Sequence, residues 1–279
     1  MYAVKSTVDV PRFVKKIGML PAISLVLGLT VPSAWSTLGV NSVLSKRLVQ
    51  LGLPEPLEVQ QLAWPVVSTG ADAVVVAEAG SGKTLSYLVP LVQLLLEPID
   101  PSRSSRAVIA LPSADLSAQV LGVAQKLVKG TKLVCAPAAS AGSPRSDDSN
   151  IIVGTVRECL PYVFGPKGKK AAGAPAPVLT RLVIDEADLL MAGLRRKGRA
   201  TTQMPVMEML NEVKKGKKRT EGALGATGLS SKKKDDLLEK ERSHQLILVS
   251  ATVPAHGYLS IDLSTYISTC LYIYLSQHL

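Results

Sequence analysis

The sequence predicts an α/β domain in which helices cover both faces of a parallel β-sheet. Three observations predict it. Short runs of β-branched residues recur along the chain without polar alternation, which is typical of strands buried on both faces. Stretches with helical spacing separate most of these runs. Apolar residues make up 47% of the 279 residues, which is ample for a large core.

Six apolar runs are predicted to be strands, and two of the stretches between them are predicted to be helices. The helices extend from Leu85 to Leu96 and from Ala114 to Val128. Ligands of such sheets bind at the carboxyl ends of the strands, so functional residues are expected there. The predicted strands are AVVVA 73–77, AVIAL 107–111, KLVCA 132–136, IIVGT 151–155, RLVIDE 181–186 and LILVSAT 246–252.

Residues 1–34 differ from the rest of the chain. A basic segment with a single acidic residue is followed by an uncharged apolar run that Pro21 and Pro32 interrupt. This run is too short and too broken to span a bilayer, so no stable membrane insertion is expected. An organelle transit sequence, a secretory-type signal and a disordered leader are the alternatives. Targeting to a mitochondrion or plastid is favoured, with the nucleus or nucleolus as the alternative because of the basic clusters KKGKKR and SKKK.

The net charge of +10 is concentrated in two segments. Residues 1–34 hold four basic and one acidic residue, and residues 195–242 hold fourteen basic and seven acidic residues. The second segment includes a low-complexity insertion, 214–242, that contains no aromatic residue for base stacking. Either a polyanion-binding or a solubilising role fits these attachments. The three cysteines, at 135, 159 and 270, have no metal-like or paired spacing.

The segment AVVVAEAGSGKT, 73–84, predicts a phosphate-binding loop between a strand and a helix. Gly80 and Gly82 allow the tight turn that points successive N–H groups at a phosphate. Lys83 is expected to reach the β- and γ-phosphates, and the Thr84 hydroxyl to bind Mg²⁺. Ala77 stands where the generic pattern has glycine, at the position that opens the loop.

The segment RLVIDEADLL supplies the carboxylates that such a loop requires. Asp185, at the tip of a predicted strand, is expected to hold Mg²⁺, usually through water. Glu186 is expected to orient or deprotonate the attacking water. Together with Lys83, these residues predict the catalytic core of a nucleoside triphosphatase.

With these motifs, the chain resembles the first RecA-like domain of the DEAD-box RNA helicases over roughly residues 35–252. The sequence AEAGSGKT resembles the first motif of the family, DEAD 185–188 is identical to the motif that names it, and SAT 250–252 matches the third motif. The resemblance implies a P-loop ATP hydrolase and RNA helicase with ATP and Mg²⁺ as cofactors. It also implies that Ser250 and Thr252 contact Asp188 and couple hydrolysis to strand separation. The residues implied to wrap the nucleotide are Ala77, Glu78, Ala79, Gly80, Ser81, Gly82, Lys83 and Thr84.

The segment LGLPEPLEVQQLAWP resembles the adenine-recognising element of that family. Gln60 stands at its glutamine, whose side chain can donate and accept together and so match adenine. Trp35, 25 residues earlier, stands where the family keeps an aromatic residue that packs on the base. Leu57 and Glu58 replace the Thr and Pro of the family, so looser adenine selectivity is predicted.

The RNA-contacting elements of the family are less well matched. PSADLSAQ, 112–119, has Ala114 in place of an arginine, and TVRE, 155–158, lacks the Pro-Gly turn of the family. The resemblance implies that Pro112, Ser113 and Thr155 contact RNA. Because the arginine and the turn are missing, weaker RNA contact is predicted from this half.

The segment after Thr252, residues 253–279, is unlike the preceding domain, and no second RecA-like domain follows. A truncated or alternatively ended chain is expected, with a tail that does not belong to the fold. A second domain or an activator protein would then be required for unwinding. The alternatives are a non-catalytic RNA- or protein-binding fragment that competes with a full-length helicase, and a P-loop ATPase acting on protein or DNA. Gln60 and Trp35 favour an RNA helicase over the last alternative.

Overall fold

A computed structural model describes seven parts of the chain. The predicted leader lies outside the described residues except for positions 33 and 34, and so does the basic insertion 214–242; the localisation that they suggest stays a prediction. No helix of the described parts is long and apolar enough to cross a membrane. The described residues are 33–97, 105–138, 149–164, 178–192, 205–213, 245–252 and 271–274.

The core of the domain is a seven-stranded sheet in the order β3-β4-β2-β5-β6-β1-β7. Every neighbouring pair is parallel, so the carboxyl ends of all strands lie at one edge of the sheet. The strands are β1 (Ala73–Val76), β2 (Ser105–Leu111), β3 (Cys135–Pro137), β4 (Ile151–Thr155), β5 (Val178–Ile184), β6 (Gln245–Ser250) and β7 (Leu271–Tyr274).

Helices cover both faces of this sheet, which confirms the predicted α/β class. Alternate residues of one strand enter different cores: Val75 packs with the first five helices, and Val74 packs with the last three. This two-sided burial explains why the strands read as continuous apolar runs. The helices are α1 (Ala34–Leu38), α2 (Ser42–Gln50), α3 (Glu58–Val67), α4 (Lys83–Leu96), α5 (Ala114–Val128), α6 (Val156–Val163), α7 (Ala187–Ala192) and α8 (205–213).

Several boundaries differ from the sequence prediction by one to three residues: β2, β5 and β6 begin earlier than predicted, and β1, β5 and β6 end earlier. Strand β3 begins at Cys135 rather than at residue 132, because its pairing with β4 starts opposite Ile151. Helix α4 begins at Lys83, where the phosphate-loop motif predicts its start and two residues before the periodic stretch Leu85 to Leu96, since Gly82 ends the preceding loop and serves as the N-cap.

The tail contributes a strand to the sheet, which corrects the expectation that it lies apart from the fold. Residues Leu271–Tyr274 pair in parallel with β1, with Leu271 opposite Ala73 and Tyr274 opposite Val76. The sequence of this segment, LYIY, combines aromatic and β-branched residues that suit a strand. Its pairing supplies hydrogen-bond partners to the edge of β1 that faces away from β6.

Candidate functional site

The predicted motifs meet at the carboxyl ends of three neighbouring strands, β5, β6 and β1. The glycine loop follows β1, the acidic motif follows β5, and Ser250 ends β6. The backbone N–H of Ala77 donates to the carbonyl of Ser250 at 3.2 Å, so the first and last of these segments are joined directly. Parallel pairing thus brings together residues that lie far apart in the sequence.

The two loop glycines adopt left-handed backbone conformations, with φ of +81° at Gly80 and +92° at Gly82. A Cβ at position 82 would lie 2.6 Å from Nε2 of Gln60 and 2.8 Å from Cδ1 of Leu57. A Cβ at position 80 would meet nothing within 4 Å. Gly82 is therefore required both by its φ angle and by the close approach of α3.

Lys83 lies under the glycine loop. Its buried ammonium donates to the carbonyls of Ala77 at 2.7 Å and Glu78 at 2.8 Å. Glu78, Ala79 and Gly80 are exposed above it. The positive charge is thus held at the start of α4, where the helix dipole also favours an anion.

Ser81 supports phosphate binding by this loop. Its Oγ is buried and has no hydrogen-bond partner among the described residues. An unsatisfied buried hydroxyl is costly unless a ligand or water completes it. A phosphate oxygen at the N-terminus of α4 would accept a hydrogen bond from this hydroxyl, so the loop fits the nucleotide that the sequence predicts.

Asp185 is held by two donors. The hydroxyl of Tyr87 donates to Oδ2 at 2.8 Å, and the N–H of Glu186 donates to Oδ1 at 2.9 Å. Burial, which leaves Asp185 5% exposed, raises the pKa of its carboxyl, as does the charge of Asp188; the two hydrogen bonds and Lys83 oppose the shift. Burial first, and then the charge of Asp185, raise the pKa of Tyr87 well above 10.0. The phenol therefore stays protonated at neutral pH and donates a hydrogen bond to Asp185.

Glu186 combines a strained backbone with a perturbed carboxyl group. Its φ of +50° is the one positive value at a residue other than glycine among the described residues. Desolvation, followed by the charge of Asp185, raises the pKa of its half-buried carboxyl, and the charge of Lys83 lowers it. Strain of this kind concentrates at functional sites, and a raised pKa brings a carboxylate closer to the basicity that proton transfer requires.

The predicted contact between the acidic motif and the end of β6 is present for Thr252. Its Oγ1 and N–H donate to Oδ2 of Asp188 at 2.8 Å and 3.2 Å. Ser250 instead donates its hydroxyl to the carbonyl of Thr252 at 2.6 Å, and so shapes the turn without touching Asp188 in this structure.

Gln60 lies beside the glycine loop and is 3% exposed. Its Nε2 donates to the carbonyl of Gly82 at 3.1 Å, and its Oε1 accepts from the N–H of Leu57 at 2.8 Å. Each end of a primary amide can form one further hydrogen bond, so the side chain keeps a donor and an acceptor for a base.

Trp35 lies in the core, where the sequence prediction had placed it against adenine. It is 1% exposed, and its indole N–H donates to the carbonyl of Leu53 at 2.8 Å. In this conformation Trp35 supports the fold around α1, and its packing on adenine stays a prediction.

The residues predicted to contact RNA lie at the carboxyl ends of β2 and β4, on the other side of β5 from the glycine loop. Ser113 is the N-cap of α5, and its Oγ accepts from the N–H of Leu116 at 3.3 Å; Pro112 precedes it. Thr155 is the N-cap of α6, and both its N–H and its hydroxyl donate to Oε2 of Glu158, at 2.9 Å and 2.8 Å. The hydroxyl of Thr155 therefore already donates its hydrogen bond within the domain.

Two contacts were missed by the sequence analysis. Tyr87 lies three and four residues after Thr84 and Lys83, a spacing that places all three on one helix face. Thr155 and Glu158 have the T-x-x-E spacing of a capping box. Both signals are local and were available in the sequence.

The donor set suits Mg²⁺ bound together with a nucleotide. No group of three or more His, Cys, Asp or Glu residues in the described parts of the chain could hold a metal ion by themselves. Mg²⁺ is typically held by one or two carboxylates and by substrate phosphates. Asp185 supplies such a carboxylate, and Thr84 adds a hydroxyl oxygen in the first turn of α4.

The comparisons with known sequences agree with this geometry. The sequence model of the DEAD/DEAH box helicase family matches residues 57–258. DEAD-box ATP-dependent RNA helicase 16 of Arabidopsis thaliana is 33% identical over 171 residues, which make up 58% of this chain and 27% of that protein. DEAD-box ATP-dependent RNA helicase 47A of Oryza sativa subsp. japonica is 30% identical over 237 residues, 79% of this chain and 37% of that protein. The chain thus spans well under half the length of these relatives.

Solved structures share the fold. Dbp5 of S. cerevisiae bound to RNA and ADP BeF3 aligns with a TM-score of 0.59 and 20% identity, covering 88% of this chain and 52% of that chain. The RNA helicase Prp28 from Chaetomium thermophilum bound to ADP aligns with a TM-score of 0.55 and 18% identity, covering 87% of this chain and 50% of that one. The predicted RecA-like architecture is confirmed.

Proposed function

The chain belongs to the DEAD/DEAH box helicase family, whose model matches more than half of its length, and on this premise we propose that it is the ATP-binding half of an ATP-dependent RNA helicase. One observation carries the proposal. Lys83, the Asp185–Glu186 pair and the Thr252–Asp188 contact are assembled across three neighbouring strands. This arrangement joins a phosphate loop, an acidic pair and the end of β6, which forms hydrogen bonds to the segments that follow β1 and β5.

Phosphate binding is assigned to the glycine loop and the start of α4. The exposed backbone of residues 78–80, the Ser81 hydroxyl and the N-terminus of α4 would surround the phosphates, and Lys83 would exchange its carbonyl partners for phosphate oxygens. Thr84 and Asp185 would hold Mg²⁺. When bound, that ion neutralises charge on the phosphate oxygens.

Hydrolysis and base recognition are assigned to two further side chains. The carboxylate of Glu186 would accept a hydrogen bond from a water molecule and orient it towards the terminal phosphate. The free donor and acceptor of Gln60 would meet complementary groups of adenine. Asp188 lies two residues after Glu186 and accepts hydrogen bonds from Thr252. Thr252 would therefore transmit any shift of the acidic motif to β6.

RNA is proposed as the polymer substrate, with the ends of β2 and β4 as its contact edge. The RNA-bound state of the structurally similar Dbp5 supports this assignment. Strand separation is proposed to need a second RecA-like domain or an activator protein; another Dbp5 structure contains Gle1. An arginine finger supplied by such a partner is worth about 10³–10⁵ in rate.

The test is nucleotide binding and ATP turnover by the full chain, with and without single-stranded RNA, alongside Lys83→Ala and Glu186→Gln. We expect Lys83→Ala to lose nucleotide binding, and Glu186→Gln to bind nucleotide but not hydrolyse it. Single-stranded DNA should displace bound single-stranded RNA poorly. Equal binding of the two polymers would contradict the choice of RNA. Unchanged binding in Lys83→Ala would contradict the whole proposal.

A further inference from the structure

Tyr87 links the glycine-loop helix to the acidic strand. Its hydroxyl is buried and donates to Oδ2 of Asp185 at 2.8 Å, across 98 positions of sequence. Thr84 lies one helical turn earlier in α4, and its side chain lowers the pKa of the phenol, against the larger effect of burial. The phenol therefore contacts the carboxylate that is assigned to Mg²⁺.

Tyr87 is the donor that fixes Oδ2 of Asp185. The backbone of Asp185 is anchored by its own N–H, which donates to the carbonyl of Ala110 at 3.0 Å. Oδ1 receives the N–H of Glu186, and Oδ2 receives Tyr87. Each carboxylate oxygen still has a lone pair for a further partner. Without the phenol, the N–H of Glu186 alone would restrain rotation of the carboxylate about its terminal bond. Because that torsion is intrinsically broad, the carboxylate would turn more freely.

We propose that Tyr87 is a positioning residue that orients the Asp185 carboxylate for Mg²⁺. The inference rests on the proposed function, because it concerns the same nucleotide site. Residues that hydrogen-bond to metal ligands orient those ligands, and their loss typically costs about 10- to 100-fold in metal affinity. Tyr87 acts through its neighbours and makes no contact with the reacting atoms.

The matched variant is Tyr87→Phe, which removes only the hydroxyl. Tyr162→Phe serves as the control, because it removes a hydroxyl from another buried tyrosine that packs near Arg106 and away from this site. Binding of a fluorescent N-methylanthraniloyl-ADP is measured in EDTA and across a titration of MgCl₂. Urea unfolding of each variant reports whether the fold is retained.

For Tyr87→Phe we expect unchanged affinity for the nucleotide in EDTA, and a rise of about tenfold in the Mg²⁺ concentration at half-effect. Tyr162→Phe should match the wild type in both. In an Asp185→Asn background, Tyr87→Phe should have no further effect on the Mg²⁺ dependence, because the two residues act as one unit.

An unchanged Mg²⁺ half-point in Tyr87→Phe would overturn the inference, and so would an equal loss of nucleotide affinity with and without Mg²⁺. Should the variant not fold, ¹³C-tyrosine NMR of the wild type gives the same test. The ring signal of Tyr87 should move when Mg²⁺ is added to the ADP complex, whereas that of Tyr162 should stay; no movement would overturn the inference. A wild type that binds no nucleotide in either condition would instead contradict the proposed function.

Discussion

Nε2 of Gln60 donates to the carbonyl of Gly82 at 3.1 Å, which links the first turn of α3 to the end of the glycine loop. The residue assigned to the base and the loop assigned to the phosphates are therefore one connected unit before any ligand binds. The contact requires glycine at position 82, since a Cβ there would lie 2.6 Å from the same nitrogen.

The first prediction compares Gly82→Ala with Gly80→Ala. Both glycines have positive φ, so either alanine should cost about 1 kcal/mol in the free energy of unfolding. Gly82→Ala should cost more, because it also displaces Gln60 and Leu57, whereas position 80 faces open space. Urea unfolding measures both losses. Equal losses would contradict the packing described for Gly82, and in a Gln60→Ala background the excess should shrink.

The sequence was sufficient for elements whose signal is local. Strand β4 and helix α5 have the predicted bounds, and the motif residues lie at the strand ends where the fold class requires them. The Thr252–Asp188 contact was also expected, although only by resemblance. These features follow from periodicity, loop chemistry and parallel pairing.

The rest depends on contacts between distant segments, which periodicity cannot specify. The burial of Trp35 is set by the carbonyl of Leu53 and by the surrounding core. The pairing of residues 271–274 with β1 uses the edge of β1 that faces away from β6, which the local sequence of the tail does not specify. The partners of Lys83 are backbone carbonyls, which every sequence offers equally.

The second prediction concerns the strained backbone of Glu186. Asn tolerates a φ of +50° better than Glu or Gln does. The free energy of unfolding of Glu186→Asn should therefore exceed that of Glu186→Gln by about 1 kcal/mol. Both variants lose the carboxylate, so the loss of charge cancels in the comparison, and both should lose ATP turnover. Identical urea midpoints would show that the left-handed conformation carries no cost.

The third prediction is a pH dependence of the same site. Folding raises the pKa of Glu186 above its ordinary value of 4.5, chiefly by desolvation. A raised carboxyl pKa gives stability that is complete below pH 4.5 and is lost as the pH rises through the folded value. Glu186→Gln should therefore be more stable than the wild type at pH 7, and this advantage should disappear towards pH 4.5. Urea unfolding between these limits measures it; a difference independent of pH would be the contrary result.

The fourth prediction concerns the start of α3, where Leu57 occupies the N-cap position without a side-chain hydrogen bond. The side chain is 52% exposed, so its loss removes little burial. Leu57→Ser would supply an oxygen to the N–H of Gln60 and should stabilise the fold by about 1 kcal/mol relative to Leu57→Ala. Thermal or urea unfolding of the two variants makes the comparison. Equal stabilities would mean that the carbonyl of Leu57, which already accepts from the N–H of Gln60 at 2.9 Å, satisfies this donor.

The fifth prediction concerns Glu158, whose carboxylate accepts both donors of Thr155. The resemblance places Thr155 against the RNA backbone, and Glu158 stands where the family has the arginine of its TPGR motif. A carboxylate beside a phosphate chain opposes binding, and it also holds the hydroxyl proton that a phosphate oxygen would otherwise accept. Glu158→Gln removes the charge but keeps an oxygen for the capping box, whereas Glu158→Arg adds a phosphate partner.

Anisotropy of a labelled single-stranded RNA, measured at two or more salt concentrations, distinguishes these effects. Glu158→Gln should bind more tightly than the wild type, and the gain should fade as salt screens it. Glu158→Arg should bind more tightly still, with a logarithmic salt slope steeper by about 1, while losing about 1 kcal/mol of stability with the capping box. If neither variant differs from the wild type in affinity, the RNA does not pass the end of β4, and the contact edge must lie elsewhere on the domain.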